Sequence, residues 1–273
     1  MEIPPAIAHI FSLFPLHAFP PIKPQSGRLP DVPTIWIHPP RTLRLSTDVE
    51  CLKWQAYLAL RGLSKIAVRV DIAPEGAMGA RLPNLHLPNG QLLPAQLIPT
   101  WVDETLDEPE RPLEGYKDQA ALDESRAWVS LLEGDVHAAL IIAQPTPSYF
   151  MSLVTFPHVA SRPLESILSP PPPPLSGLST ILPAFGTRIS PKHVESKYRD
   201  AISAIADRLG TDKWFLGSSD PTPLDALVFA YLHSILHTAN HIVRIEVTRR
   251  VNLVAWELRV RGLVSAAFKE SIP

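Results

Sequence analysis

Three histidines in the C-terminal part of the chain are the residues best spaced for joint chemistry. His233, His237 and His241 recur every four residues, so on an α-helix they would share one face. Imidazole nitrogens at this spacing suit a divalent metal ion. No cysteine lies near them, and a carboxylate ligand would have to come from elsewhere in the chain. The sequence therefore favours partly exposed histidines near a helix end, and we assign no metal.

Cys51, Ser46 and Thr47 are the candidate nucleophiles. Cys51 is the only cysteine, which excludes an internal disulfide and a multi-cysteine metal site. A helix N-terminus can lower a thiol pKa, but Cys51 is predicted in about the second turn of a helix, on its apolar face. A buried, unreactive thiol is therefore favoured. Metalloprotease, P-loop, dinucleotide and nucleophile-elbow motifs are absent, so we assign no catalytic residue and no cofactor.

The last predicted helix, Glu246–Val264, carries four arginines that could hold phosphate, a lipid headgroup or an acidic partner. They are Arg249, Arg250, Arg259 and Arg261. Glu246 and Glu257 interleave with them, so an ordinary solvated face fits at least as well. The formal net charge of −2 gives no basic field for nucleic acid, and we expect no nucleic-acid partner.

The segment Trp214–Tyr231, WFLGSSDPTPLDALVFAY, sets the start of a helix on which the histidines lie. Thr222 is predicted as the N-cap, Pro223 as the first helical residue and Asp225 as the third, which is the pattern of a capping box. The helix, predicted to reach about Asn240, has almost no charge over its first turns and should be buried. We assign Thr222 and Asp225 a structural role.

The N-terminal half is predicted to contain strands, helices and one hairpin in a fixed order. Asn89-Gly90 between two apolar runs is the strongest short hairpin signal. The elements are a strand at Thr34–His38, a helix capped by Thr47 or Asp48 and ending near Arg61, a strand at Ile66–Ile72, the hairpin over residues 84–93, and a helix from Ile98. This is the order of a thioredoxin-like domain.

Proline marks the connections between domains. The 273 residues include 31 prolines, roughly twice the usual share. We expect an extended lead at 1–33, a thioredoxin-like domain at 34–105, a linker at 106–116 and an all-helical domain at 117–273, within which 144–191 is a proline-rich loop insertion. Five consecutive prolines in Ser169–Leu175 could bind an SH3- or WW-type groove, although an exposed spacer is favoured.

The longest apolar stretch is Val136–Ser161. Pro145, Pro147 and Pro157 interrupt it, whereas a spanning helix needs about 20 apolar residues without breakers. A buried helix followed by an apolar loop is favoured over a membrane span. We therefore expect a soluble or peripheral protein without a cleavable signal.

The order of elements resembles the glutathione-transferase-like fold, with a thioredoxin-like domain followed by an all-α domain. Pro83 stands where that fold has its cis-proline. The resemblance implies a glutathione site, but Pro94-Ala95 replaces the acidic residue and serine that hold the glutathione carboxylate, and proline also removes an N–H donor. Only Ser46 and Thr47 stand where the catalytic Tyr or Ser is expected. We therefore expect the fold without the enzyme.

Four segments resemble the metaxin family, in particular its smaller fungal member. They are Leu13–Pro20, Cys51–Leu63, Trp214–His233 and Asn252–Val260. The loop Ala73–Gly79 departs from the family pattern, so no contact is carried over to it.

The resemblance to metaxins implies a non-enzymatic subunit of the sorting and assembly machinery of the mitochondrial outer membrane. Such a protein would be peripheral, on the cytosolic face, bound to the integral β-barrel insertase and to a larger metaxin-like subunit. It would receive β-barrel precursors by their sorting signals. Two alternatives remain: a glutathione-dependent enzyme that uses Cys51 or Ser46, and a soluble adaptor that acts through the proline-rich loop.

Overall fold

The computed structural model describes residues 29–38, 45–72, 74–106, 112–143 and 190–268. Several predictions concern residues outside these ranges. They are the lead up to residue 28 with Leu13–Pro20, the middle of the linker, and the proline-rich insertion with Ser169–Leu175. The adaptor alternative depends on that insertion and stays a prediction.

A four-stranded mixed sheet lies in the N-terminal domain. β1 (Thr34–Trp36) pairs in parallel with β2 (Ala67–Arg69) and antiparallel with β3 (Asn84–His86). β3 also pairs antiparallel with β4 (Leu92–Pro94), which gives the strand order β2-β1-β3-β4. The predicted hairpin turn is present between β3 and β4. Gly90 in this turn has a φ of 87°, which glycine adopts without strain.

Two helices belong to this domain. α1 (Val49–Leu60) begins after Asp48, whose carboxylate accepts the backbone N–H of Cys51 at 2.9 Å. Asp48 is thus the N-cap of α1. Cys51 is the third helical residue and lies in the first turn, so its prediction in the second turn is wrong. α2 (Ile98–Leu106) follows β4 after one short 3₁₀ turn.

The helical domain begins with a helix interrupted by one wide turn. α3 (Gln119–Leu131) leads through a π turn (Leu132–Val136) into α4 (His137–Ala143), close to the single helix predicted at Lys117–Ala143. Gly134, a poor helix former, lies in that turn. Within the part of the chain that the structure describes, no helix has both the length and the apolar character needed to cross a bilayer.

The C-terminal helices end and begin at different residues from those predicted. α5 (Pro191–Leu209) and α6 (Pro223–Leu236) are followed by α7 (His241–Thr248) and α8 (Val251–Ala267). Asn240, predicted as the end of the capped helix, is instead the N-cap of α7, and its side chain accepts the N–H of Ile242 at 3.0 Å and that of Val243 at 3.4 Å. Asparagine favours this capping position over a helix interior.

The prediction of one last helix from Glu246 is also wrong. Arg250, with φ −108° and ψ 94°, separates α7 from α8, so Glu246 belongs to α7 and the last helix begins at Val251.

α6 is the centre of the molecule, as its apolar sequence predicted. Eleven of its 14 residues are buried, and Phe229 and Tyr231 are fully enclosed. α1 packs along α6, and α8 packs against both helices. After α8 the chain returns to the sheet, where Phe268 forms a parallel bridge with Ile66. The two domains therefore share one hydrophobic core.

Candidate functional site

Ser46, the candidate nucleophile after β1, is fully buried and supports the start of α1. Its N–H donates to the side-chain oxygen of Gln55 at 2.9 Å, and its hydroxyl accepts the N–H of Asp48 at 3.2 Å. The hydroxyl also lies 3.4 Å from the carbonyl oxygen of His38, to which it donates. In this arrangement the Ser46 side chain holds the backbone of His38 and Asp48 in place and does not face solvent.

Cys51 is also fully buried. Burial raises the pKa of its thiol well above the ordinary value, and the negative charge of Asp48 raises it further. These effects outweigh the helix N-terminus at which the thiol lies. The structure agrees with the interpretation of Cys51 as an unreactive core thiol.

The Leu82–Pro83 peptide bond is cis, as the resemblance implied. The next residue, Asn84, is 1% exposed and closes the preceding loop. Its side-chain oxygen accepts the N–H of Met78 at 2.7 Å, and its amide donates to the carbonyls of Arg81 and Pro83 at 3.3 and 3.0 Å. The role of Asn84 was not predicted from the sequence, where the available signal was an amide at the first position of an apolar strand.

The turn between β4 and α2 is where the resemblance to the glutathione-transferase-like fold implies a site for the glutathione carboxylate. Pro94 ends β4, and Ala95–Leu97 forms the 3₁₀ turn. Ala95 has no polar side-chain atom, but Gln96 in the same turn is exposed and carries an amide donor. Pro94 and Ala95 alone carry the expectation from the sequence that this turn holds no carboxylate, and Gln96 has no part in it.

A cleft of about 330 Å³ opens between α1, α2 and the start of α6. Arg61 forms an ion pair with Asp103 at 2.9 Å and donates to the hydroxyl of Tyr57 at 3.1 Å. The ammonium of Lys53 lies 5.0 Å from the centroid of the Trp54 ring. Burial raises the pKa of Tyr57, so the phenol stays protonated at neutral pH.

This cleft combines aromatic faces with both signs of charge, which suits a small ligand with apolar and ionic parts. The lining is contributed by α1, α2, the turn before α3, and α6. It consists of Lys53, Trp54, Tyr57, Arg61, Pro99, Thr100, Asp103, Glu114, Pro223 and Ala226. Sequence reasoning missed the cleft because four separate segments build it.

The predicted capping box is present at the start of α6. The buried carboxylate of Asp225 accepts the N–H of Thr222 at 2.8 Å, the hydroxyl of Thr222 at 2.7 Å and the N–H of Phe215 at 2.8 Å. Burial raises the pKa of Asp225 to about 6 although these hydrogen bonds lower it. The hydroxyl of Tyr116 accepts the N–H of Leu224 at 3.3 Å. Thr222 and Asp225 thus join the turn before α6 to the helix.

The structure brings two of the three histidines together and adds a carboxylate. Nδ1 of His233 lies 2.7 Å from Oε1 of Glu257, and both residues are buried. Nδ1 of His237 donates to the carbonyl of His233 at 2.8 Å, and the two rings are 4.0 Å apart between centroids. His241 begins α7 and does not belong to this group. Burial lowers the pKa of His233, which keeps its ring neutral at neutral pH.

The four arginines after Glu246 have partners within the chain. Arg249 and Arg250 lie 3.4 and 3.6 Å from carboxylate oxygens of Glu246. Arg259 donates to the carbonyl of Lys213. Arg261 lies 4.0 Å from Glu257. These contacts favour the solvated face over an anion site.

Comparison with known proteins identifies the fold. Residues 198–260 match the family model described as glutathione S-transferase, C-terminal domain. The chain has the glutathione-transferase-like fold. A beta-etherase from Sphingobium sp. strain SYK-6 superposes with a TM-score of 0.53 at 13% identity, over 85% of this chain and 95% of the other. A glutathione S-transferase from Methylobacillus flagellatus KT, with glutathione bound, superposes with a TM-score of 0.50 at 13% identity. This match covers 85% of this chain and 98% of the other. A search of curated proteins found no match.

The prediction that the chain is not an enzyme is contradicted by this comparison. Solved structures that share its fold include those of a glutathione S-transferase and a beta-etherase, which are enzymes. We therefore withdraw the exclusion of catalysis that Pro94-Ala95 suggested.

Proposed function

We propose that this protein is a metaxin-like peripheral subunit of the sorting and assembly machinery of the mitochondrial outer membrane. In this role it lies on the cytosolic face and holds the integral β-barrel insertase and a larger metaxin-like subunit. It receives β-barrel precursors by their sorting signals and promotes their insertion.

The observation that carries the proposal is the packing of three segments that resemble the metaxin family. Cys51–Leu63 contains most of α1, Trp214–His233 contains most of α6, and Asn252–Val260 lies within α8. These three helices pack against one another in the core. The hydroxyl of Ser234 in α6 also lies 3.4 Å from the carbonyl of Thr47, just before α1. The resemblance therefore covers one connected interior unit, which supports a shared architecture.

An exposed apolar face on α8 supports a role in holding partners. Val251 is 79% exposed and Leu258 is 56% exposed. They are seven residues apart, two helical turns, and so lie on the same face. Large apolar side chains grouped on a surface favour burial against a partner.

The test is a pulldown of the tagged full chain from mitochondria in mild detergent. We expect the barrel insertase to copurify with the wild type and to be lost from the double variant Val251→Glu, Leu258→Glu. Leu97→Glu is the matched control, because Leu97 is 47% exposed in the other domain, and it should retain the insertase. Absence of the insertase from the wild-type pulldown contradicts the proposed function. Carbonate extraction should release the protein, and resistance to extraction would contradict a peripheral location.

A second candidate is a glutathione-dependent enzyme, favoured by the fold and by Gln96 at the turn between β4 and α2. The Gln96 amide can donate to a ligand carboxylate where Ala95 cannot. Glutathione-affinity retention is the assay. Retention that is lost in Gln96→Ala and kept in Gln91→Ala, an exposed glutamine in the hairpin, supports this candidate. A chain that flows through the column, and shows no transferase activity with glutathione and an electrophilic aromatic substrate, rejects it.

A further inference from the structure

We propose that His233, His237 and Glu257 form a binding site for a divalent metal ion of the zinc type. This inference does not depend on the function proposed above. One potential ligand atom from each residue lies within 4.8 Å of the others. α6 provides both histidines, one turn apart, and α8 provides the carboxylate that the sequence did not reveal. Two imidazoles and one carboxylate are a ligand set that zinc uses in proteins.

The protonation of His237 favours coordination. Nδ1 of His237 donates to the carbonyl oxygen of His233, so its Nε2 keeps a lone pair for the metal. A hydrogen bond from the second ring nitrogen to a backbone carbonyl is typical of metal-binding histidines. Nδ1 of His233 and Oε1 of Glu257 are 2.7 Å apart and share a hydrogen bond. The ion takes the place of that proton when the neutral His233 ring carries its hydrogen on Nε2 instead, which leaves a lone pair on Nδ1.

The distances require only a small adjustment. A zinc–nitrogen bond is about 2.0–2.1 Å, which puts neighbouring ligand atoms of a tetrahedral site roughly 3.3–3.5 Å apart. The widest separation therefore has to close by about 1 Å or a little more, and the 2.7 Å between Nδ1 of His233 and Oε1 of Glu257 has to open by roughly 0.6–0.8 Å. Rotation of the exposed His237 side chain supplies the closing movement, and a small rotation of the Glu257 carboxylate supplies the opening one.

The exposure of the three side chains indicates from which side an ion would enter the site. The side chains of His233 and Glu257 are 4% and 3% exposed, and His237 is exposed. The ion reaches the two buried ligands from the side of His237. The fourth coordination position faces solvent and takes a water molecule, as in sites with three protein ligands.

One nearby charge opposes the ion. Nε of Arg261, on the next turn of α8, lies 4.0 Å from the Glu257 carboxylate. Its positive charge competes with a divalent cation for that carboxylate and repels it. A purely structural histidine pair would not respond to Arg261 in this way, so Arg261 provides a specific test.

The experiment is calorimetric titration of the full chain with Zn²⁺, supported by the visible spectrum with Co²⁺. We expect one equivalent to bind at this site, at least tenfold weaker binding by His237→Ala, and several-fold tighter binding by Arg261→Gln. His241→Ala is the matched control, because His241 is also an exposed histidine and lies four residues further along the chain. It should bind like the wild type. Melting curves without metal check that each variant is folded.

Three outcomes overturn the proposal. Two of them are the absence of binding by the folded wild type, and equal losses of binding in His237→Ala and His241→Ala. The third is a cobalt–thiolate charge-transfer band, which would assign the ion to the rival group His38, Asp48 and Cys51. Tighter binding by Arg261→Gln together with loss in His237→Ala would support the site.

Discussion

Replacement of Asp225 by alanine should destabilise the protein by about 3 kcal/mol, because it leaves three buried donors without an acceptor. The donors are the N–H of Phe215, the N–H of Thr222 and the hydroxyl of Thr222. Each costs about 2 kcal/mol when unpaired in the interior. Against this, the rise of the Asp225 pKa from 3.8 to about 6 means that the buried charge costs about 3 kcal/mol at pH 7, which the substitution relieves.

The assay is urea unfolding at pH 7, followed by circular dichroism and tryptophan fluorescence. Asp220→Ala is the matched control, because Asp220 is exposed and accepts only the hydroxyl of the neighbouring Ser219 at 3.0 Å among the contacts described. Its substitution should change the stability by less than about 0.5 kcal/mol. The reasoning is refuted if Asp225→Ala costs less than about 1 kcal/mol, or no more than Asp220→Ala.

Four further measurements test the electrostatics and the cap. Thr222→Ala should cost about 1 kcal/mol, and an unchanged melting temperature would show that the cap is misread. Because the pKa of Asp225 is raised in the folded state, the wild type should become more stable relative to Asp225→Asn as the pH falls from 7 to 4, with no further gain below pH 4. Parallel pH profiles of stability for the two proteins would contradict this. Arg208 lowers the pKa of Glu124 from 4.5 to about 2, so the wild type should lose stability relative to Glu124→Gln as the pH falls through that interval, and a constant difference would argue against the ion pair. Cys51 should not react with a disulfide reagent in the native protein and should react fully in urea, whereas fast native labelling would place the thiol at the surface.

Local chemistry made several parts of the fold predictable from the sequence. Asn89-Gly90 specified the hairpin because the turn needs a positive φ at glycine. Thr222, Pro223 and Asp225 specified the start of α6 through contacts within four residues. The apolar composition of α6 indicated its burial, and the order of elements indicated the fold.

The ends of helices were less predictable where one residue could either continue a helix or cap the next one. Asn240 continues the helical spacing of α6 but caps α7, because its side chain satisfies the free N–H groups of the next helix. Arg250 gives no sequence signal for the break before α8, because its side chain makes no capping hydrogen bond there and only the structure shows its extended backbone conformation.

The sequence by itself determined the order of elements, the turn at Gly90 and the cap at Thr222, because each depends on neighbouring residues. Only the tertiary structure decided which polar groups meet across the chain. It placed Glu257 against His233, 24 residues apart, and it used Ser46 to hold α1. The contact of His233 with Glu257 depends on how α6 and α8 pack, and the role of Ser46 depends on its burial, and neither is written in the spacing of residues along the chain.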